Sequence, residues 1–178
     1  MGLIYTNNDS PEDNFKICLD TTITHIKNET NEVIYSLKSD NSYIDHNDNS
    51  EVLNNFYNLE LLKNLLKHAN NIKTNLRRVI LSKKIADLPE ALKTSISSLL
   101  FIKAISLPNY DFLDNFANKI EDKYGYECIN DILTNKYENV DNKVISNSNR
   151  ILGDDNKILK KLFVFINVVK LVQIKKSF

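Results

Sequence analysis

The first pattern along the chain is a narrow hydrophobic stripe that follows a helix-start signal. Ser10 suits an N-cap, Pro11 suits the first helical position, and acidic residues follow in the first turn. The stripe then recurs at steps of four and three, at Phe15, Leu19, Thr22, Ile26, Glu29, Val33 and Leu37. This spacing predicts a helix that packs along one long partner helix. The polar segment 39–50 interrupts the pattern and predicts the linker of a hairpin.

A second amphipathic pattern begins near Ser50 and predicts a helix that runs to about Ala86. Its apolar side is formed by Leu61, Leu65, Ala69, Ile72, Leu76, Val79 and Ile80. Basic residues share the opposite side, in a sector of roughly 140° on a helical wheel. They are Lys63, Lys67, Lys73, Arg77, Arg78 and Lys84. The two patterns together predict a long helical hairpin.

Shorter helical patterns fill the second half of the chain. They predict helices over 88–106, 108–124, 126–135 and 140–148, and a final helix from about 154 to 175. Gly125 is expected to end the second of these in a left-handed conformation. The predicted fold is all-α: a long helical hairpin with shorter helices packed along it. It forms one domain over residues 1–178, with a flexible N-terminus over 1–9.

Turn-forming residues are scarce, with 3 glycines and 3 prolines among 178 residues. This scarcity argues against β-sandwich and α/β folds, and against a glycine-rich loop that binds phosphate. The serines, cysteines, histidines and acids form no nucleophile motif and no metal-ligand spacing. We therefore expect no catalysis, no cofactor and no metal site.

The two cysteines, Cys18 and Cys128, stand in no paired motif and are expected to be buried, reduced thiols. The start of the chain lacks the pattern of a signal peptide, and no apolar run is long enough to span a bilayer. These features predict a cytoplasmic protein.

His68 follows Lys67 on the second predicted helix. We expect it to be a helix-surface histidine. The alternative is a phosphate-accepting histidine of a helical phosphotransfer protein.

Charge is unevenly distributed although the net charge is zero. Residues 1–60 hold 3 basic and 11 acidic side chains, whereas residues 61–105 hold 9 basic and 2 acidic ones. The basic side of the second helix therefore pairs with the acidic first helix, or docks an acidic partner helix or anionic lipid headgroups. The candidate residues for an acidic partner are Lys63, Lys67, Lys73, Arg77 and Arg78. Nucleic acid is not expected, because no aromatic residues interleave with the basic ones.

The final predicted helix is apolar on nearly every side, so more than one of its sides must be covered. The candidate residues for an apolar partner surface are Leu162, Phe165, Val169 and Val172. An alternative function follows from the same helix: a peripheral membrane-binding protein that inserts it at the bilayer interface.

The stretch from about residue 51 to residue 169 resembles the increased-sodium-tolerance family of ESCRT-III-like regulators. Leu88–Phe101 is similar to the family segment with a Val/Ile-Ser-Ser/Thr-Leu-Ile core, and Leu59–Ile80 is similar to its second long helix. Lys123–Glu127, with the sequence KYGYE, resembles a helix end of the family. Val140–Ile145 resembles its Val-Asn-x-Lys/Arg-Leu/Ile-Ile/Met element, and the final helix corresponds to the helix that closes the family core.

This resemblance implies the ESCRT-III fold and a non-catalytic role in endosomal sorting and membrane scission. Such proteins bind the C-terminal helix of an ESCRT-III subunit of the charged-multivesicular-body type, and they regulate the vacuolar-sorting AAA ATPase that disassembles the filaments. The resemblance thus implies these partners, an anionic membrane surface, and recruitment from the cytoplasm to endosomal membranes. The chain departs from the family in its acidic first third, and we do not expect the family's C-terminal ATPase-binding tail.

Overall fold

A computed structural model of the chain describes residues 10–39, 50–107, 109–128, 130 and 139–153. Within these ranges there is no β-strand, and the fold is all-α, a helical hairpin with further helices packed against it, as predicted. The helices are α1 (Pro11–Ser39), α2 (Ser50–Thr74), α3 (Leu76–Leu81), α4 (Glu90–Ala104), α5 (Asp114–Tyr124) and α6 (Asn142–Gly153). Single 3₁₀ turns lie at Ile85–Asp87 and Asp111–Leu113.

The start of α1 is fixed by a reciprocal cap, which confirms the predicted helix start. The backbone N–H of Asp13 donates to Ser10 Oγ at 3.1 Å, and the backbone N–H of Ser10 donates to Asp13 Oδ2 at 3.3 Å. This is the arrangement of a capping box, with aspartate in the usual place of glutamate. The hydrogen bonds from Ser10 lower the pKa of the Asp13 carboxyl, because they favour its charged form.

The described residues fall into two compact units. One holds the residues up to His25 and those from Leu65 to Asp141, and the other holds Ile26–Asn64 and the residues from Asn142 onward. Both long helices contribute to both units.

Helix α4 forms the centre of the first unit. Every residue from Ser95 to Ile102 is buried, so this helix is covered on all sides. The serines at 95, 97 and 98 are small enough to let neighbouring helices approach it closely. Along the same unit, the rings of Phe15 and Phe116 meet edge to face, with centroids 6.3 Å apart.

The second unit is built on a cluster from the end of α1 and the start of α2. Its buried members are Leu37, Val52, Leu53, Phe56, Tyr57 and Leu59. Val33, Ile34 and Ile151 pack against this cluster, so α6 joins the two long helices. The burial of Leu37 and the packing of Val33 against this cluster confirm the predicted stripe at this end of α1.

The second predicted helix is wrong in length, since α2 ends at Thr74 and does not continue to Ala86. Asn75 lies at the break with φ −108° and ψ 19°, and the backbone carbonyl of Asn71 accepts both from its Nδ2 at 2.9 Å and from its backbone N–H at 3.2 Å. The chain then resumes as the short helix α3 and, after a turn, the 3₁₀ turn Ile85–Asp87.

The shorter helices agree with the predictions in place but not always in length. Helix α4 is shorter than the predicted 88–106, and α6 is longer than the predicted 140–148. Helix α5 ends at Tyr124 as predicted, and Gly125 has a φ of +87°. A residue with a Cβ would be strained in this conformation.

Candidate functional site

The basic residues that the sequence selects are all exposed. Lys67, Lys73, Arg77 and Arg78 lie in the first unit, on the solvent side of α2 and α3, while Lys63 lies on α2 in the second unit. The apolar residues predicted for the opposite side of these helices are buried, except for the half-buried Ile80. The predicted division into an apolar and a basic side is therefore confirmed.

Two of these lysines form ion pairs within the chain. Lys73 Nζ lies 2.5 Å from Asp20 Oδ1 on α1, and Lys63 Nζ lies 3.5 Å from Glu60 Oε1 one turn earlier on α2. Lys73 therefore pairs with the acidic first helix. Lys67, Arg77 and Arg78 form no ion pair with any residue that the structure describes, so they carry the unneutralised positive charge of this surface.

His68 is not a surface histidine, and that prediction is wrong. Its side chain is buried, with 4% of the residue exposed. The ring Nδ1 lies 3.1 Å from Ser95 Oγ on α4, and Nε2 lies 3.0 Å from Asp141 Oδ2. A phosphate-accepting histidine needs an exposed ring nitrogen, and both nitrogens of His68 are engaged.

The hydrogen bonds around His68 form a continuous chain inside the first unit. Asn71 Nδ2 donates to Ser95 Oγ at 2.8 Å, and the backbone N–H of Asp141 donates to Ser98 Oγ at 3.0 Å. Burial lowers the pKa of His68, while the neighbouring Asp141 carboxylate opposes this shift. In a neutral ring whose Nε2–H donates to Asp141, Nδ1 accepts from the Ser95 hydroxyl, which then cannot also donate to the backbone carbonyl of Ala91.

Ser95, His68 and Asp141 are the residue types of a hydrolytic triad, but their placement does not serve that chemistry. Ser95 is 1% exposed, so a substrate carbonyl has no path to its hydroxyl. The hydroxyl also lies 3.0 Å from the backbone carbonyl of Ala91, which competes for its hydrogen. The arrangement instead ties α2, α4 and the segment before α6 together through groups that are all hydrogen-bonded.

The sequence contained a signal for the burial of His68. At 100° per residue, this position falls about 20° from Leu61 and about 40° from Ile72, within the apolar side of the wheel. Its neighbour Lys67 lies on the opposite side. The position of His68 on the helical wheel, and not its adjacency to Lys67, indicates that its ring faces the interior.

Each unit carries a shallow groove on its surface. The groove of the first unit runs between α1 and α5, has a volume of about 480 Å³, and is lined by residues that include Ile17, Cys18, His25 and Phe112. The rings of His25 and Phe112 stack there, 6.0 Å apart. The groove of the second unit, about 340 Å³, runs between α2 and α6. Neither contains a basic residue that the sequence selected for partner binding.

Several predictions fall outside the described residues. Leu162, Phe165, Val169 and Val172 belong to this group, as does the helix that would carry them. The cysteines lie within the described ranges: Cys18 is buried as predicted, whereas Cys128 is only partly so.

Among the described residues, no three histidine, cysteine or acidic side chains are grouped so that they could hold a metal ion. No helix in these ranges is long and apolar enough to span a membrane. In comparisons with known proteins, no protein-family model, no curated protein and no solved structure matches this chain.

Proposed function

We propose that this chain is a non-catalytic regulator of ESCRT-III-dependent endosomal sorting and membrane scission. It would be recruited from the cytoplasm to endosomal membranes. There it would bind the C-terminal helix of an ESCRT-III subunit of the charged-multivesicular-body type, and modulate the AAA ATPase that disassembles the filaments. The sequence resemblance and the all-α hairpin support this proposal.

One observation carries the proposal: Lys67, Arg77 and Arg78 are exposed along α2 and α3, and no acid among the described residues neutralises them. An acidic amphipathic helix offers carboxylates at matching helical spacing. Charge matching of this kind speeds association and selects the partner, while apolar burial supplies most of the affinity. We expect the final predicted helix to supply this apolar contact, through Leu162, Phe165, Val169 and Val172.

The test is a pull-down from lysate of the chain's own organism, with the intact chain as bait. A second bait carries Lys67→Glu, Arg77→Glu and Arg78→Glu. Lys63 and Lys73 are left unchanged, because their ion pairs with Glu60 and Asp20 would confuse the result. A control bait carries Lys16→Glu, Lys27→Glu and Lys38→Glu, the same change in charge on exposed positions of α1.

We expect the wild-type and control baits to capture an ESCRT-III subunit, and the α2–α3 variant to lose it. Capture of no such subunit by a folded, helical wild-type bait would overturn the proposed function. Equal loss with both variants would show that net charge, and not this surface, governs binding.

A further inference from the structure

The groove of the second unit, between α2 and α6, is lined mainly by polar side chains. Its volume of about 340 Å³ is in the range of sites that hold small molecules. Each wall is formed by residues that recur at helical spacing. They are Phe56, Glu60 and Asn64 on α2, and Asn142, Lys143, Ser146, Asn147 and Arg150 on α6. Because residues four positions apart lie on one side of a helix, each helix turns one continuous side to the groove.

The first sign of a ligand in this groove is the buried side chain of Asn147. Only 8% of this residue is exposed, yet its amide forms no hydrogen bond with any residue that the structure describes. A buried amide without a partner destabilises a protein, whereas an apolar side chain of similar size does not. Asn147 lines the groove, where a polar ligand can bond to both its amide oxygen and its amide N–H groups.

The second sign is the position of two basic residues near the ends of the α6 wall. Lys143 and Arg150 are seven residues apart, which separates their Cα atoms by about 10 Å along the helix axis. The Arg150 guanidinium lies over the ring of Tyr57, 6.0 Å from its centroid, and forms no ion pair with a described residue. Lys143 is exposed, and its three N–H donors allow a ligand to share it with a neighbour. The groove therefore offers positive charge at two separate points.

Between these two cations the groove offers neutral polar groups and one carboxylate. Ser146 and Asn147 lie on the α6 wall, and Glu60 and Asn64 lie on the α2 wall. Glu60 Oε1 lies 3.5 Å from Lys63 Nζ, and Asn64 Nδ2 donates to the backbone carbonyl of Glu60 at 2.9 Å. The Glu60 carboxylate would repel an anion in the middle of the groove, but it accepts hydrogen bonds from hydroxyl groups. The complementary ligand therefore has two anionic ends and a hydroxylated middle.

We propose that the groove between α2 and α6 binds a sugar bisphosphate. The two phosphates contact Lys143 and Arg150, because phosphate oxygens accept strong, charge-assisted hydrogen bonds from basic side chains. The sugar hydroxyls bond to Asn147 and Glu60. In fructose 1,6-bisphosphate the phosphates stand at opposite ends of a hydroxylated chain, as this arrangement requires. The inference goes beyond the proposed function, and its ligand-binding residues are separate from the basic residues of α2 and α3 used there.

Other anions are less complementary to this groove. A single phosphate would contact one cation and leave the other without a partner. An acidic peptide would bring its carboxylates close to Glu60, and like charges at short distance repel. A sugar without phosphate would contact the amides and the carboxylate but neither Lys143 nor Arg150. The bisphosphate is the ligand class that uses both cations and the buried amide of Asn147.

The test is isothermal titration calorimetry of the full chain with fructose 1,6-bisphosphate, and with glucose 1,6-bisphosphate as a second probe. Fructose 6-phosphate is the probe with a single phosphate. Two variants remove groups of the groove, Asn147→Leu and Arg150→Gln. Asn149→Leu is the matched control, because Asn149 is exposed and lies about 200° around α6 from Asn147. Lys38→Gln, at an exposed position of α1, is the control for the loss of one positive charge.

We expect wild type and both controls to bind the bisphosphates about tenfold or more tightly than fructose 6-phosphate, because the second phosphate forms a charge-assisted contact. Asn147→Leu and Arg150→Gln should each weaken binding by about fivefold or more, since each leaves a polar group of the ligand without its partner. In urea denaturation, Asn147→Leu should be at least as stable as wild type, because it removes an unpaired buried amide. An asparagine that serves only the fold would instead lose stability when it is replaced.

Three results would overturn the proposal. The first is failure of both bisphosphates to bind folded wild type at millimolar concentrations. The second is binding that neither Asn147→Leu nor Arg150→Gln weakens, and the third is equal affinity for fructose 6-phosphate. If Asn147→Leu does not fold, Arg150→Gln against Lys38→Gln still decides the outcome. Because the titration contains no other protein, failure of the partner proposal in the pull-down leaves this result unchanged.

Discussion

Nε2 of His68 lies 3.0 Å from Oδ2 of Asp141, and the two residues are 73 positions apart in the chain. This contact joins α2 to the segment that precedes α6. Because the histidine is buried, removal of the Asp141 carboxylate leaves Nε2 of His68 without its partner in the interior. Such a group costs more than the hydrogen bond itself contributes.

We expect Asp141→Ala to lower the free energy of unfolding by about 1–3 kcal/mol, because the Nε2–H of His68 loses its acceptor. Asp141→Asn should lower it by less, since the amide oxygen can still accept from a neutral ring. Urea denaturation followed by circular dichroism measures both. An asparagine variant as unstable as the alanine variant would contradict the neutral ring, because a protonated histidine needs the carboxylate.

The pH dependence of stability offers a separate check on His68. Burial lowers its pKa below the ordinary value of 6.5 in the folded protein. As pH falls below about 6.5, the unfolded chain therefore binds a proton that the folded protein does not, and stability decreases until the lowered pKa is reached. At pH values well above 6.5, His68 makes no pH-dependent contribution to the stability of the folded protein.

We expect this decrease to be smaller in His68→Gln than in wild type when unfolding is measured at a series of pH values from neutral to mildly acidic. His25→Gln, at an exposed position of α1, is the matched control and should follow wild type. Parallel curves for wild type and His68→Gln would show that His68 does not titrate abnormally.

The sequence predicts a feature of a helix well when that feature depends only on residues close together in the chain. The cap at Ser10 depends on residues within three positions of it, and the stripe of α1 depends on one helical period. The break at Asn75 was not predicted, because a single asparagine is only mildly unfavourable in a helix.

The polar core was not predictable from any single helix. Three serines of α4 are buried, and Ser95 and Ser98 obtain hydrogen bonds from α2 and from Asp141, far away in sequence. The segments Leu88–Phe101 and Val140–Ile145 supply these groups. Their pairing through His68 depends on tertiary packing, which helical periodicity does not encode.

Tyr124→Phe tests the contact that supports α3 from below. The substitution removes the hydroxyl that donates to the carbonyl of Val79 at 2.8 Å, and we expect a loss of about 1 kcal/mol in the free energy of unfolding. Burial also raises the pKa of Tyr124 to about 12, so the hydroxyl remains a donor at neutral pH. Tyr126→Phe is the control, because Tyr126 is 68% exposed. Equal stability of the two variants would contradict the role assigned to Tyr124.

The two thiols are expected to react at different rates with a water-soluble disulfide reagent. Cys18 is buried, and burial raises the pKa of its thiol, although Lys119 opposes this shift. Cys128 is partly exposed. Since the thiolate is the reactive form, Cys128 should be modified first.

Single variants separate the two reactions. In Cys128→Ser, modification of Cys18 should be slow and should accelerate at urea concentrations below the unfolding transition, because it requires local opening of α1. In Cys18→Ser, modification of Cys128 should be fast and little affected by such urea. Fast, urea-independent labelling of Cys18 would mean that the groove between α1 and α5 already exposes its sulfur. Burial of the first turns of α1 against α5 would then be incomplete in solution.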